Sequence, residues 1–353
     1  MELICHSDQT KNTERLFLAL PRKLYGKKSP QDRKTEKQLL HGSHPLSPDF
    51  EVYPFVVTRQ GEPVCRSLLT VYAGDPQAYV GFFEARQDEK AVALLFETLA
   101  AKARALGKTT LAGPLDASIF IGYRFKTDCF ENTFTGEPVN LPYYPELWKR
   151  WGFQETEHYA SYRLRKVRED DCNLRYEKLY RRYRDRGYQW RSPGPQDFEK
   201  SMEEVYALLT ALYADFPGYK HIEKEAFIKL FGPLKQVLNL QMVRLVYREK
   251  KLCAFCICVP NYGDLSLGRL TIAKFLRFLR IRRRPSEYVI TYVGAAPTAP
   301  GLGCAMIQDI RNRQYENGCT TVAALIHEGK LTSRMYEDLH VETRRYALYA
   351  CPL

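Results

Sequence analysis

The 353-residue sequence has no apolar run that would cross a bilayer: its longest, such as Ala91 to Ala101 and Cys253 to Pro260, fall short of the ~20 residues a spanning helix needs. An export signal is missing from the opening residues, where Glu2, Asp8, Lys11, Glu14 and Arg15 interrupt any apolar stretch, so no leader is expected. Cysteines at disulfide-framework spacing are lacking as well. The ten present spread from Cys5 to Cys351, which predicts buried thiols in a reducing cytoplasm. Cys253, Cys256 and Cys258 look like a metal run, but their segment reads as a strand whose alternation sends Cys256 and Cys258 to one face and Cys253 to the other. Packed thiols and no metal are therefore expected. An acidic excess is also absent. Fifty-three Lys and Arg against 41 Asp and Glu leave +12, and residues 169–353 hold +8 of it, 29 basic against 21 acidic. A positive field attracts nucleotide cofactors, acidic carrier proteins, anionic lipid or nucleic acid, and charge does not choose among them.

What is present is an ordinary globular composition at a length that favours two cores, since single cores stop growing at ~250 to 300 residues. The first 49 residues, rich in Lys, Pro and His with one short apolar patch at Leu16 to Leu20, read as a lead-in that is mobile between Gly26 and Pro48. From Val52 the chain alternates as a meander (52–58, 64–72, 79–84), followed by a helical period over 88–106, a short strand at 110–112, a helix at 144–151 and a strand at 158–164. The second half repeats the order. A basic helix over 174–186 and a strand at 188–191 lead to an amphipathic helix at 198–214, paired strands at 241–247 and 252–259, and a strand at 287–293. A Gly-rich turn, a helix over 304–315, a strand at 320–326, a short helix at 332–339 and a strand at 343–349 complete it. The predicted division is 1–49, 50–168 and 169–353.

Small residues at the turn Ala295-Ala-Pro-Thr-Ala-Pro-Gly301-Leu302-Gly303-Cys304-Ala305 stand where a strand becomes a helix. Lack of bulk lets a phosphate reach the unpaired N–H groups at a helix start, where the macrodipole also favours an anion; a ligand-free tight turn reads equally well. This turn resembles the acyl-CoA loop of the GNAT (GCN5-related N-acetyltransferase) superfamily, with Gly303 and Ala305 matching and Pro300 in place of the usual Arg or Gln. Tyr336-Glu-Asp-Leu-His340-Val341 is similar to the family's closing Tyr-x-x-x-Gly-Phe, with His-Val in place of Gly-Phe. The first half carries its own version, Tyr143-Tyr144-Pro-Glu-Leu-Trp148-Lys-Arg-Trp151-Gly152-Phe153, but puts Asp88 and Glu89 where a pyrophosphate would dock, so its cofactor loop looks lost.

The resemblance implies an α/β fold of two GNAT-like domains, each a mixed, mostly antiparallel sheet flanked by helices. It implies an N-acyltransferase using acetyl-CoA, another acyl-CoA or an acyl carrier protein, and a small amine acceptor. Val293, Gly294 and Ala295 would pair with the pantetheine arm, and Gly301, Leu302, Gly303, Cys304 and Ala305 would hold phosphate. Tyr336 would be the acid that protonates the leaving thiolate, with Glu328 or His327 as base. Glu84, Asp116, Ser118 and Arg124 are candidate acceptor contacts, the last three in a long loop whose turn formers favour an ordered structural role over an acceptor wall. Lys274, Arg277, Arg280 and Arg284 share one helix face and would meet an anionic surface, while Ile272, Phe275, Leu276 and Leu279 would face the domain. Two other classes remain open: a peptidyltransferase fed by aminoacyl-tRNA, against which the missing tRNA-binding arm argues, and a non-catalytic binding protein with drifted loops.

Overall fold

A computed structural model describes residues 2–171, 173–214, 216–329 and 335–353, and its strands join in one sheet. The first half supplies β1 (Leu3–His6), α1 (Lys11–Tyr25), α2 (Arg33–Leu40), β2 (Glu51–Arg59), β3 (Glu62–Val71) and β4 (Gln77–Ala85). It continues with α3 (Glu89–Ala105), β5 (Thr110–Gly113), β6 (Phe125–Lys126), α4 (Tyr144–Trp151) and β7 (Gln154–Leu164). The second half supplies α5 (Leu174–Asp185), β8 (Gln189–Arg191), α6 (Phe198–Tyr213), α7 (Lys224–Phe231), β9 (Val243–Arg248) and β10 (Lys251–Pro260). Then follow α8 (Ile272–Arg283), β11 (Glu287–Ala295), α9 (Leu302–Asn317), β12 (Thr320–His327) and β13 (His340–Pro352).

The sheet order β1-β2-β3-β4-β5-β13-β7-β12-β11-β10-β9-β8 reads almost the same from either edge. Each outer part runs as a strand, two helices, a meander, a crossover helix and a parallel strand, with α8 inserted into the second meander, and among the described residues its one parallel pair is β4 with β5 or β11 with β12. The closing strands are exchanged. β13 pairs with β5 of the first half, β7 pairs with β12 of the second, and the two pair with each other along most of their length.

The segment read as a lead-in is folded into this plan. Thr10 caps α1 by accepting the Thr13 N–H at 3.3 Å, and Leu16, Phe17 and Leu20 are buried, Phe17 beneath the guanidinium of Arg66. α2 starts under an Asp32 cap and lodges Glu36 against Arg66 within the stretch expected to be mobile. The physical cause is a buried ion pair between residues thirty positions apart, which leaves no local signature.

Helix α3 buries Val92, Leu95, Phe96, Leu99 and Ala103, the period expected of it. Its core closes on Trp148 and Phe153 from the α4 end, with Phe96 edge-on to Trp148 at 5.4 Å. In the second half, α9 and α5 cover Cys256 and Cys258, whose sulfurs lie 3.8 Å apart on the buried face; Cys253, expected on the opposite face, packs half-buried against the same core, because β10 bulges between Leu252 and Ala254 and the alternation shifts there. No group of three or more His, Cys, Asp or Glu able to hold a metal occurs among the described residues, and none of their helices is long and apolar enough to cross a membrane. Residues 332–334 of the expected short helix, like Cys172, lie outside the described residues, and Met335–Leu339 form turns.

Helix α8 docks by a different face from the one expected. Phe278 stacks on Tyr262 at 4.0 Å, Arg282 donates to the carbonyls of Leu238 and Lys235, and Lys274 donates to that of Leu267. Ile272 and Leu276 are left 81% and 61% exposed beside Arg277, Arg280 and Arg284. The aromatic stack and three backbone acceptors outweigh burial of the longer apolar stripe, and Lys274 is drawn off the free cationic face.

Candidate functional site

Both parallel strand pairs open into forks. β4 and β5 pair only over Gln77–Tyr79 against Thr110–Ala112, and β11 and β12 only over Glu287–Ile290 against Thr320–Ala323. The first fork is filled by its own chain: Leu115 N–H bonds the Val80 carbonyl at 3.0 Å, and Asp116 accepts the Phe82 N–H at 2.5 Å. A Cβ on Gly81 would lie 2.1 Å from the Leu115 oxygen, so this crossing requires glycine. At the α3 start, Asp88 caps Ala91 N–H and pairs with Arg59, which puts a carboxylate where an anion would sit.

The second fork differs. β11 stays paired with β10 out to Ala295, yet beyond Ile290 its other edge, including Val293 and Gly294, meets no strand among the described residues. Gly301, at φ +85°, turns the chain into α9. Leu302 and Ala305 bond back to Ala299 and Gly301, while the N–H groups of Gly303 and Cys304 have no bond among the described residues. One side of the turn is covered. Leu179 of α5 would stand 3.2 Å from a Cβ on Gly301, and Tyr183 donates to the Pro300 carbonyl at 2.8 Å. Met335 Cε and Ala295 Cβ would lie 3.8 and 4.0 Å from a Cβ on Gly303.

Between the forks lies a cavity of about 670 Å³, within the size range of small-molecule sites. Phe82, Glu84 and Asp116 line it from the first fork, and Thr291, Tyr292 and Leu325 from the second. Tyr144 Oη donates to Glu84 at 2.7 Å and accepts the Ala85 N–H at 3.0 Å. Burial pushes the Glu84 carboxyl up to about 7, against the opposing pull of Arg66 and the Tyr144 hydrogen bond. Burial likewise pushes Asp116 up to about 6. Arg66 itself is spoken for, bidentate to Glu36 at 2.7 and 2.8 Å.

Arg124 also lines the cavity and is 4% exposed. Its guanidinium lies 3.6 Å from the Tyr123 ring centroid and 4.0 Å from that of Tyr159, and Nη1 donates to the Leu325 carbonyl at 3.0 Å. Burial lowers it to about 9. Its backbone stands at φ +70°, a conformation uncommon outside glycine and found where surroundings enforce it.

Among the expected acceptor contacts, then, Glu84, Asp116 and Arg124 come together. Ser118 does not line the cavity; its Oγ accepts the Phe120 N–H at 3.3 Å and orders the loop. The expected acid and bases lie elsewhere. Tyr336 is 3% exposed in the second core, its hydroxyl without a partner among the described residues and pushed well up by burial. His327 bonds Glu157 at 2.6 Å, and Glu328 is exposed with its N–H on the His158 carbonyl; neither lines the cavity. Reasoning from sequence missed Tyr144 as a carboxyl donor, although the doublet before a short helix marked it, and missed Glu36 with Arg66, which no local pattern joins.

Among solved structures, the chain is similar to a tandem GNAT protein from the clavulanic acid biosynthesis pathway, solved without AcCoA. The TM-score is 0.53 at 11% identity, over 99% of this chain and 98% of that one. The fold is that of a tandem GNAT protein. A conserved protein of unknown function from Enterococcus faecalis V583, described as a probable N-acyltransferase, gives 0.51 at 10% identity over 99% of this chain and 72% of that one. No protein-family model and no curated protein matches the sequence. At such identities the likeness concerns the fold.

Proposed function

We propose that the protein moves an acyl group from acetyl-CoA, another acyl-CoA or an acyl carrier protein to an amine held in the central cavity. The observation that carries this reading is the opening of the β11–β12 fork onto the same cavity as two carboxyls of raised proton affinity, Glu84 and Asp116. A thioester arm lying along Val293–Ala295 would present its carbonyl toward that cavity, with the free N–H groups of Gly303 and Cys304 left for pyrophosphate. An amine must lose a proton before it attacks, and a carboxyl near 7 is matched to accept it, so Glu84 replaces Glu328 and His327 as the proposed base. Exposed Arg175 and Arg182 on α5, beside the α9 start, are suited to the outer phosphates. The described cysteines are free, which fits a reducing compartment such as the cytoplasm.

Titrating CoA into the full chain and into Gly303→Glu tests the donor half. The substituted carboxylate would meet the phosphates directly, and at least tenfold weaker binding is expected; an unchanged Kd removes the proposal. A non-catalytic binding protein is the second reading, favoured by Leu179 and Tyr183 closing one side of the turn. It predicts no CoA binding by the unaltered chain.

A further inference from the structure

The charges around the cavity do not cancel locally. Arg66 is neutralised by Glu36, and Glu137 is held by Lys126 at 3.0 Å, by Arg344 at 3.0 Å and by the Tyr346 hydroxyl. Asp32 is spent on the cap of α2. Among the described lining residues, Arg124 is the one Lys or Arg with no carboxylate partner. Of its nitrogens, only Nη1 has an acceptor, a backbone carbonyl, and the buried Nε has none. Stacking between two phenol rings holds the guanidinium in place and stabilises the cation, but supplies no counter-ion. A buried cation left so is costly unless something brings the missing charge. The acidic groups of the same cavity, Glu84 and Asp116, come from the first fork, whereas Arg124 rests on Leu325 of the second.

We infer that Arg124 is the binding group for a carboxylate on the acceptor, so that the cavity takes an amine that also carries one carboxylate, the pattern of an amino acid. The planar fork of Arg124 suits the two oxygens of a carboxylate. A single unpaired cation balances a monoanion and not a doubly charged phosphate. The amine then lies toward Glu84 and Asp116, and the aromatic walls from Phe82, Phe120, Phe216 and Tyr292 take an apolar side chain. The site deepens the acyl-transfer reading and rests on it for what happens to the amine. Depression of the Arg124 affinity for its proton by burial agrees with a site that gains its counter-charge from a ligand.

Ligand-observed NMR on the full chain, with a mixture of the twenty common amino acids and a matching mixture of their carboxamides, tests this. At least one amino acid is expected to bind, its carboxamide to bind at least tenfold more weakly, and Arg124→Gln to remove the difference. Arg124→Lys keeps the charge and loses the fork; it is expected to bind at least tenfold more weakly and serves if the glutamine variant does not fold. The inference is overturned if no amino acid binds the unaltered chain, or if amides or the variants bind equally well. CoA titration of the same samples separates the two ideas. Amino-acid binding that depends on Arg124 without any CoA binding sinks the transfer reading and leaves the site. Transfer from acetyl-CoA to plain amines that ignores Arg124 sinks the site and leaves the transfer.

Discussion

The Glu84 carboxyl is pulled in opposite senses by its neighbours. Burial, and to a lesser degree the charge of Glu36, favours the neutral form, while Arg66 and the Tyr144 and Tyr25 hydroxyls favour the ion, and the balance falls at about 7. A carboxyl that holds its proton more tightly when folded than its ordinary 4.5 stabilises the fold only while protonated. Stability is therefore expected to be full below pH 4.5 and to fall by roughly 3 kcal/mol as pH rises through 7, at about 1.4 kcal/mol per unit. Asp116 adds a loss of the same sign that ends nearer pH 6. Glu84→Gln should flatten the slope between pH 5 and 8 and leave the chain more stable at pH 8, read by urea unfolding at both. A variant with the original slope would show that Glu84 titrates normally. If Glu84 is the base, the same variant loses transfer at every pH while keeping CoA binding. Legibility at this scale was uneven. Asp116 and Arg124 were marked by type and loop context and Glu84 by type at a strand end, but Tyr336 attracted a catalytic role that its burial among the sulfurs of Cys256 and Cys258 does not favour.

Among the elements, α8 offers the sharpest test, because two of its faces competed for the domain. Ile272 and Leu276 are exposed, so replacing either by Ser should change stability by less than about 0.5 kcal/mol. Phe278→Ala removes the ring stacked on Tyr262 and should cost about 2 kcal/mol, less than a fully buried Phe because the residue is half-exposed. Thermal unfolding of the three variants decides which face is docked; equal costs would mean that both are. Periodicity in the sequence placed most strands and helices near their observed ranges, since the pattern is local and the core reads it directly. It failed where stability comes from distant partners. α1 has Pro21 within it and a short apolar patch, and is held by Arg66 and the sheet beneath; the Thr10 cap and Glu14 in the first turn were the signals available. α7, Lys224–Phe231, was passed over although Phe227 is buried in the core that it shares with α6. The face of α8 was misread because its apolar residues form two stripes, and the count favoured the longer.

For the whole molecule, the exchange of β7 and β13 ties the stretches on either side of residue 168 into one sheet. A fragment of residues 1–168 would keep β4 beside β5 but lack β13 on the other edge of β5 and would offer β7 neither of its native neighbours, and a fragment of 169–353 would have the mirror deficit. Neither is expected to unfold cooperatively alone, while co-expression of both should restore a cooperative transition, followed by circular dichroism and size-exclusion chromatography. A single fragment with a sharp melting curve would contradict this. The arrangement also sets an order of events during synthesis. At ~5–20 residues per second, a ribosome needs on the order of 11 to 45 seconds to travel from β5 to β13. Throughout that interval the emerging first half waits with a bare strand edge, the kind of template on which stray chains dock. Slowed elongation or scarce chaperones should thus lower the soluble yield of this protein more than its finished stability would suggest.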